Sequence, residues 1–385
     1  MIVGVVTEAT GNERRVSLVP AVVPLLQKAG HQVLVQSGAG GRAGYADAEY
    51  EAAGARLAAD RDAVLAEAEV LPLLGAPGDG RLDPASLRAG QVVVGLLDPL
   101  GAPEAMRAMA ECGVTAFALE LLPRISRAQP MDALTSMATV AGYRAVLLAA
   151  GALDKMFPLM MTAAGTVTPA KVLVLGAGVA GLQAIATARR LGAVVEAYDV
   201  RAVVREQVES LGAKFVDLEL GGDDAETTGG YARALGEDFT RRQQEGLAKV
   251  VASCDVVIST AAIPGRRAPV LVTAEAVAGM RPGAVIVDLA AETGGNCALT
   301  KAGQTVDAGG VQVMGPAALA ASAPRDASQM YARNVLAFLR HVTKDGALRL
   351  DPEDEIARDA LVARDGEVVS ARVRALLGLP ERGTD

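Results

Sequence analysis

The chain contains no tryptophan, and aromatic residues make up only 3% of its 385 positions. Aliphatic side chains must therefore fill its cores. Histidine is nearly absent too. His31 and His341 are the whole supply, which leaves too little imidazole for a His-based metal site or a Ser–His triad. The three cysteines, Cys112, Cys254 and Cys297, are odd in number and far apart. They form no CxxC pair, and this pattern fits a reducing compartment. Basic clusters are missing as well: 37 Lys and Arg against 45 Asp and Glu give a formal charge of −8. With the basic residues scattered, the clustered footprint of a nucleic-acid surface is not there. Long hydrophobic runs are also wanting, although the mean hydropathy of +0.29 is high. A spanning helix needs about 20 apolar residues. The longest charge-free stretches, 172–188 and 308–324, are broken by glycines, and the second also by Pro316 and Pro324. The N-terminus shows no basic segment followed by an apolar run. The expectation is a cytoplasmic chain without direct membrane insertion.

What is present is alternation. Apolar runs at 2–6, 32–35, 70–74, 92–97 and 115–119 are separated by helical patterns such as 20–29 and 62–68. A second series at 171–175, 194–198, 256–259 and 284–288 reads the same way. Strand–helix alternation predicts parallel βαβ units. A helical pattern over 131–153 bridges the two series, and an amphipathic pattern over 328–344 is expected to return to the first. The predicted architecture is α/β, with two doubly wound parallel-sheet domains. The first is discontinuous, comprising 1–135 and 308–385, and the second is 136–307. The 217–249 connection is too long for an ordinary loop of about 2–6 residues. It is read as a lid carried on a rigid scaffold.

The sharpest local signal is Lys171-Val-Leu-Val-Leu175-Gly176-Ala-Gly178-Val-Ala-Gly181. Gly176 permits a tight turn after a strand. Gly178 lets backbone approach a pyrophosphate, and Gly181 allows close helix–strand packing. The helix beginning there presents free N–H groups to phosphate. A lone pattern of this kind is weak, but Asp199 closes the next predicted strand about 20 residues on, as a Rossmann-like dinucleotide fingerprint requires. Its carboxylate accepts ribose hydroxyls and repels a 2′-phosphate, so NAD(H) is favoured over NADP(H). Arg201, an arginine that could tolerate phosphate, is read as packing near the adenine. A second glycine turn at 38–43 is read as a turn alone, because the strand-like run at 70–74 ends without an acid.

The segment Arg124-Ile-Ser126-Arg-Ala-Gln129-Pro-Met-Asp132-Ala-Leu-Thr135 leads into the bridging helix. Taken alone, Asp132 fits a helix cap equally well. With its neighbours, the segment resembles the loop of the NAD(H)-binding component of proton-translocating NAD(P) transhydrogenases, a family related to alanine dehydrogenases. The likeness extends to Glu13-Arg-Arg15-Val16, the 176–181 turn, Asp199-Val200-Arg201, Gly229-Gly230-Tyr231-Ala232, Thr260–Gly265 and 287–296. It implies that Arg124, Gln129 and Asp132 form the triad at the reacting nicotinamide, assisted by Ser126 and Thr135. It implies that Gly230 and Tyr231 lie on a loop closing over NAD(H). It further implies that Gln243 or Gln244 contacts the nucleotide and that Val179 and Ala262 line the adenosine side. By the same resemblance Val200 and Arg201 flank the ribose acceptor. A homodimer is implied, as are partner subunits that bind NADP(H) and span the membrane, which would hold this chain peripherally at it.

Hydride transfer between two nicotinamides needs alignment and exclusion of water rather than an acid or base. A histidine-free set of amide, guanidinium and carboxylate suits it. The closest alternative is amino-acid oxidation as in alanine dehydrogenase, whose substrate arginine Arg15 matches. That family's lysine would fall near Gly75, its histidine near Leu96 and Leu97, and its aspartate at Glu292, so the proton-handling groups are missing. A non-catalytic NAD-binding module is the other alternative; it would have no use for the 124–132 segment.

Overall fold

The computed structural model describes residues 1–8, 11–78, 82–218, 236–263, 265–351 and 353–380. The chain divides into two compact units, 1–137 with 321–385, and 138–320. The first division falls inside one helix, Ala133–Ala152.

Unit 1 is built on an eight-stranded sheet. Six strands run parallel in the spatial order Thr115–Ala118, Val92–Gly95, Val70–Leu73, Ile2–Val5, Gln32–Gln36 and Arg56–Ala58. The order reverses between Ile2–Val5 and Val70–Leu73, as in doubly wound sheets. Val, Leu and Ala dominate these strands because helices cover both faces. An antiparallel hairpin, Leu361–Arg364 with Glu367–Val368, extends the Thr115–Ala118 edge. The helix Pro324–Val342 also belongs to this unit. Its Phe338 meets Phe117 edge-on, with ring centroids 5.2 Å apart. Its Tyr331 hydroxyl donates to the Leu73 carbonyl and accepts from Leu96 N.

Unit 2 carries a seven-stranded sheet in the order Lys214–Phe215, Val194–Tyr198, Lys171–Leu175, Val256–Ser259, Val285–Asp288, Val311–Met314 and Thr305–Ala308. All neighbours are parallel except the last pair. The order reverses between Lys171–Leu175 and Val256–Ser259, so a crevice is expected beyond Leu175 and Ser259. The two-domain α/β reading of the sequence matches this architecture.

Four details differ from the sequence reading. The second unit runs to residue 320 rather than 307, because the strands Thr305–Ala308 and Val311–Met314 join its sheet. The strand following the 38–43 turn is Arg56–Ala58, and not 70–74. Asp60, just beyond it, accepts from Ala63 N and caps the helix Arg61–Glu67. The later portion of the 217–249 connection is a helix, Glu237–Ala252. It buries Leu247 and Val251. Finally, among the described residues the helix Ala133–Ala152 is long and apolar enough to cross a membrane. Within unit 2 its Ala145, Val146 and Ala149 join the buried core, so its apolarity has a packing use.

Glu120 follows the strand Thr115–Ala118 and introduces a titration into unit 1. Its Oε1 accepts from Asp98 N at 2.5 Å, while Oε2 is buried without a hydrogen-bond partner. Burial, helped by the nearby Asp98 charge, raises its pKa from 4.5 to about 7. An acid whose pKa is higher in the folded state is held best when protonated, so stability falls as pH rises through the window from 4.5 to about 7. Glu120→Gln keeps the Oε1 acceptor and removes the charge. We expect the variant to outlast the parent at pH 8 by about 3 kcal/mol, at 1.36 kcal/mol per pKa unit, and to match it at pH 4. Denaturant unfolding of both chains across this range checks the expectation; parallel stability curves would contradict it.

Candidate functional site

The site in unit 2 begins where the central strand ends. Gly176 has φ +94°, a conformation glycine adopts without strain. A Cβ there would lie 2.7 Å from Thr260 Oγ1. The Thr260 hydroxyl donates to Gly176 O at 3.0 Å, and Thr260 N donates to Leu175 O at 2.7 Å. The glycine turn is thus stitched to the end of the neighbouring strand across the switch point. Asn296 fixes the segment after Thr260. It accepts from Ala261 N at 3.0 Å and donates to Ala261 O and Pro269 O at 2.8 Å each. Asp288 in turn holds Asn296, accepting from its backbone N at 2.7 Å.

The helix Val179–Arg190 opens at Gly178, and no side chain caps it. Its first amides are therefore of the kind that bind anions. A Cβ on Gly178 would meet nothing within 4 Å, whereas one on Gly181 would stand 1.8 Å from the Gly176 carbonyl oxygen. The turn is packed beneath and open above, which is the shape a pyrophosphate needs. Gly142 fits close against the same helix start, since its Cβ would come 2.1 Å from Ala180 O.

Asp199 stands one residue beyond Val194–Tyr198 and is buried. Its Oδ2 accepts from Ala177 N at 2.7 Å, which brings the acid to the glycine turn. Arg201 folds back on it, with Nε 2.9 Å from Oδ1 and Nη2 2.9 Å from Oδ2. Val179, Val200 and Arg201 are half-buried, and Ala262 is exposed. Gln243, on the helix Glu237–Ala252, is buried and donates to the Tyr198 hydroxyl at 2.9 Å. Gln244 donates to Val270 O at 2.6 Å. Both amides thus have partners inside the unit. Gly230 and Tyr231 lie outside the described residues.

The 124–132 segment belongs to unit 1. Its 3-10 stretch Ser126–Met131 is anchored by the buried Ala128 and Met131. Asn334 donates to Pro130 O at 2.8 Å, and Arg127 Nη2 donates to Glu355 at 3.1 Å. From this tied base Arg124, Ser126 and Gln129 project as exposed side chains. Asp132 accepts from Thr135 N at 2.8 Å and from Thr135 Oγ1 at 2.5 Å. It does cap the following helix, and the same bonds fix where its carboxylate points.

Arg15 is arranged differently from a substrate anchor. Its Nε and Nη2 donate to Glu13 Oε1 and Oε2 at 2.8 and 2.7 Å, with Glu13 buried and the Arg15 side chain only 9% exposed. Sequence reasoning named neither Thr260 nor Asn296 in any role, although both sit inside segments that carry the family resemblance. Their hydroxyl and amide beside a glycine turn were the available signal.

Two family models match the chain: "Alanine dehydrogenase/PNT, N-terminal domain" over residues 4–141 and "Alanine dehydrogenase/PNT, C-terminal domain" over residues 145–371. A protein of Rhodospirillum rubrum, named as the first portion of NAD(P) transhydrogenase subunit alpha, is 45% identical to the chain, over 96% of this chain and 98% of that protein. The chain is 30% identical to the alanine dehydrogenase of Mycolicibacterium smegmatis, over 99% of this chain and 98% of that one. Its fold is similar to a crystal structure of transhydrogenase from Sinorhizobium meliloti, with a TM-score of 0.83 and 42% identity. The similarity spans 96% of this chain and 99% of that one.

The two glycines of the helix start should respond oppositely to an added methyl. Gly181→Ala forces the helix off the strand end and should lower unit 2 stability by about 1–3 kcal/mol, the usual range for overpacking. Gly178→Ala should leave the thermal midpoint nearly unchanged. Scanning calorimetry of both variants decides this, and an equal effect would contradict the packing described.

Proposed function

The chain belongs to the alanine dehydrogenase/PNT family, and we propose that within it this chain is the NAD(H)-binding, hydride-transferring component of a proton-translocating NAD(P) transhydrogenase. NADP(H) binding and membrane passage lie on other chains in this reading. The observation that carries it is the pairing of an open glycine turn at a switch point with a buried acid, Asp199, bonded directly to that turn through Ala177 N. The open space at Gly178 and the uncapped helix start fit the pyrophosphate of NAD(H). Asp199 is the acceptor for the adenosine ribose hydroxyls.

When bound, the dihydronicotinamide supplies the hydride. The protein's role is to hold, orient and exclude water. Arg124, Gln129 and Asp132 are assigned to the nicotinamide end, with Ser126 and Thr135 assisting. Thr135 orients the Asp132 carboxylate, and the anchored 126–131 turn sets the reach of Gln129. Val179 and Ala262 are assigned to the adenosine side, Val200 to the flank of the ribose acceptor, Gln243 or Gln244 to a nucleotide contact, and Gly230 and Tyr231 to a closing loop. No residue in this set has to exchange a proton with the reacting carbons. Amino-acid oxidation is the weaker reading. Arg15 is engaged by Glu13, and by the resemblance the lysine and histidine of alanine dehydrogenases would fall near Gly75 and near Leu96 and Leu97, where this chain has neither.

The homodimer also belongs to this proposal. A hairpin in unit 2, Met160–Thr162 with Gly165–Val167, leaves Met161 81% exposed, and Met156 and Leu159, just before it in the chain, are exposed as well. Exposed apolar side chains grouped like this support an association surface. Light scattering should give about twice the 39.3 kDa chain mass, and Met161→Asp should shift it toward one chain. A monomer at micromolar concentration would remove this element of the proposal.

The activity itself is tested by adding the NADP(H)-binding component and following hydride transfer from NADH to an NADP analogue. In single turnover, Gln129→Asn should transfer hydride about 100-fold more slowly, the scale of a misplacement of about 1 Å, with little change in NADH affinity. Binding without turnover in the parent protein would leave only an NAD-binding module. A wild-type rate in the variant would remove Gln129 from the alignment set.

A further inference from the structure

The Asp199 carboxylate receives four N–H groups. Ala177 N reaches Oδ2 at 2.7 Å, Arg201 N and Nε reach Oδ1 at 2.9 Å each, and Arg201 Nη2 reaches Oδ2 at 2.9 Å. A carboxylate offers about four lone-pair sites, so these are all taken. The pair is also well covered, with side-chain exposures of 13% for Arg201 and 5% for Asp199. A ribose diol that donates two O–H groups to this acid must take places now held by other donors. Two of those donors are backbone amides, one in the glycine turn and one just past the strand end. Neither can leave without remaking the turn. The guanidinium sits on a flexible stem and can.

We propose that Arg201 is a specificity-setting latch: its guanidinium closes on Asp199 in the nucleotide-free chain and is displaced by the ribose diol on binding. The inference rests on the reading of Asp199 as the ribose acceptor. Two consequences follow from its chemistry. Opening a forked, charge-assisted pair opposes binding, so the latch weakens NADH. The released guanidinium remains tethered two residues from Asp199, where it offsets repulsion between the carboxylate and a 2′-phosphate. It therefore strengthens NADPH. One side chain narrows the discrimination that Asp199 alone would impose.

Arg201→Met keeps the aliphatic stem and removes the fork. Fluorescence titration should show NADH binding about five-fold tighter, or roughly 1 kcal/mol, and NADPH binding several-fold weaker. ADP-ribose, which lacks the nicotinamide, should show the same gain as NADH. The nucleotide-free variant should melt earlier than the parent, while the two melt together at saturating NADH. Arg201→Lys retains the charge without the fork, and should gain NADH affinity while keeping NADPH affinity. It also serves as the test should the Met variant fold poorly. Unchanged NADH binding in a folded variant overturns the latch, because Arg201 then does not oppose the nucleotide, and weaker binding overturns it because Arg201 is then a plain nucleotide contact. Asp199→Asn separates this from the underlying reading. If it binds NADH as tightly as the parent, the ribose assignment falls and the latch with it. If its NADH binding collapses while Arg201→Met shows no gain, the latch alone is wrong.

Discussion

Gly181 stands where any side chain would run into the Gly176 carbonyl, 1.8 Å from a Cβ. This close approach of a helix start to a strand end is the constraint on which the unit 2 site depends. It sets the direction in which the first helical amides point. It also leaves the turn low enough for Ala177 N to reach Asp199. Thr260 then ties the turn to the next strand, and Asn296 and Asp288 tie Thr260's neighbours in their turn. The acid, the open turn and the uncapped helix are consequences of one backbone contact that only glycine permits.

Unit 1 has the same kind of switch point and uses it differently. Beyond Ile2–Val5 and Val70–Leu73, Glu8 accepts from Leu74 N, and Tyr331 bonds Leu73 O and Leu96 N. Nearby, Arg15 and Glu13 close on each other. At the point where a doubly wound sheet offers a crevice to a ligand, these polar side chains of the unit bond to its own strand ends. The two sheets share the order of their parallel strands, yet among the described residues only the second has its glycine turn bonded to an acid beyond the next strand, Asp199.

Much of this was legible in the sequence because the decisive features are backbone demands. Glycines at 176, 178 and 181, followed by an acid at 199, are readable without coordinates. So was the alternation that predicts both sheets, since Val-, Leu- and Ala-rich strands buried on both faces stand out from polar connections. Short or charged elements were not. Arg56–Ala58 has three residues and no pattern of its own. The Leu361–Val368 hairpin carries Arg364, Asp365 and Glu367 at its turn and reads as a polar tail. The Glu237–Ala252 helix shows only a thin apolar stripe, Leu247 with Val251, inside a stretch read as a lid. The state of Arg201 was beyond reach for another reason. Whether a guanidinium lies on an adenine or on a carboxylate two residues away is decided by rotamers, which composition and spacing do not encode.

In the proposed function NAD(H) sits on the unit 2 turn and not on the glycine turn of unit 1. A crystal structure of the chain soaked with NADH measures this directly. Pyrophosphate density is expected over residues 176–181, with a ribose diol within hydrogen-bond distance of Asp199. Nucleotide density over residues 38–44, or a diol with Asp199 untouched, would contradict it.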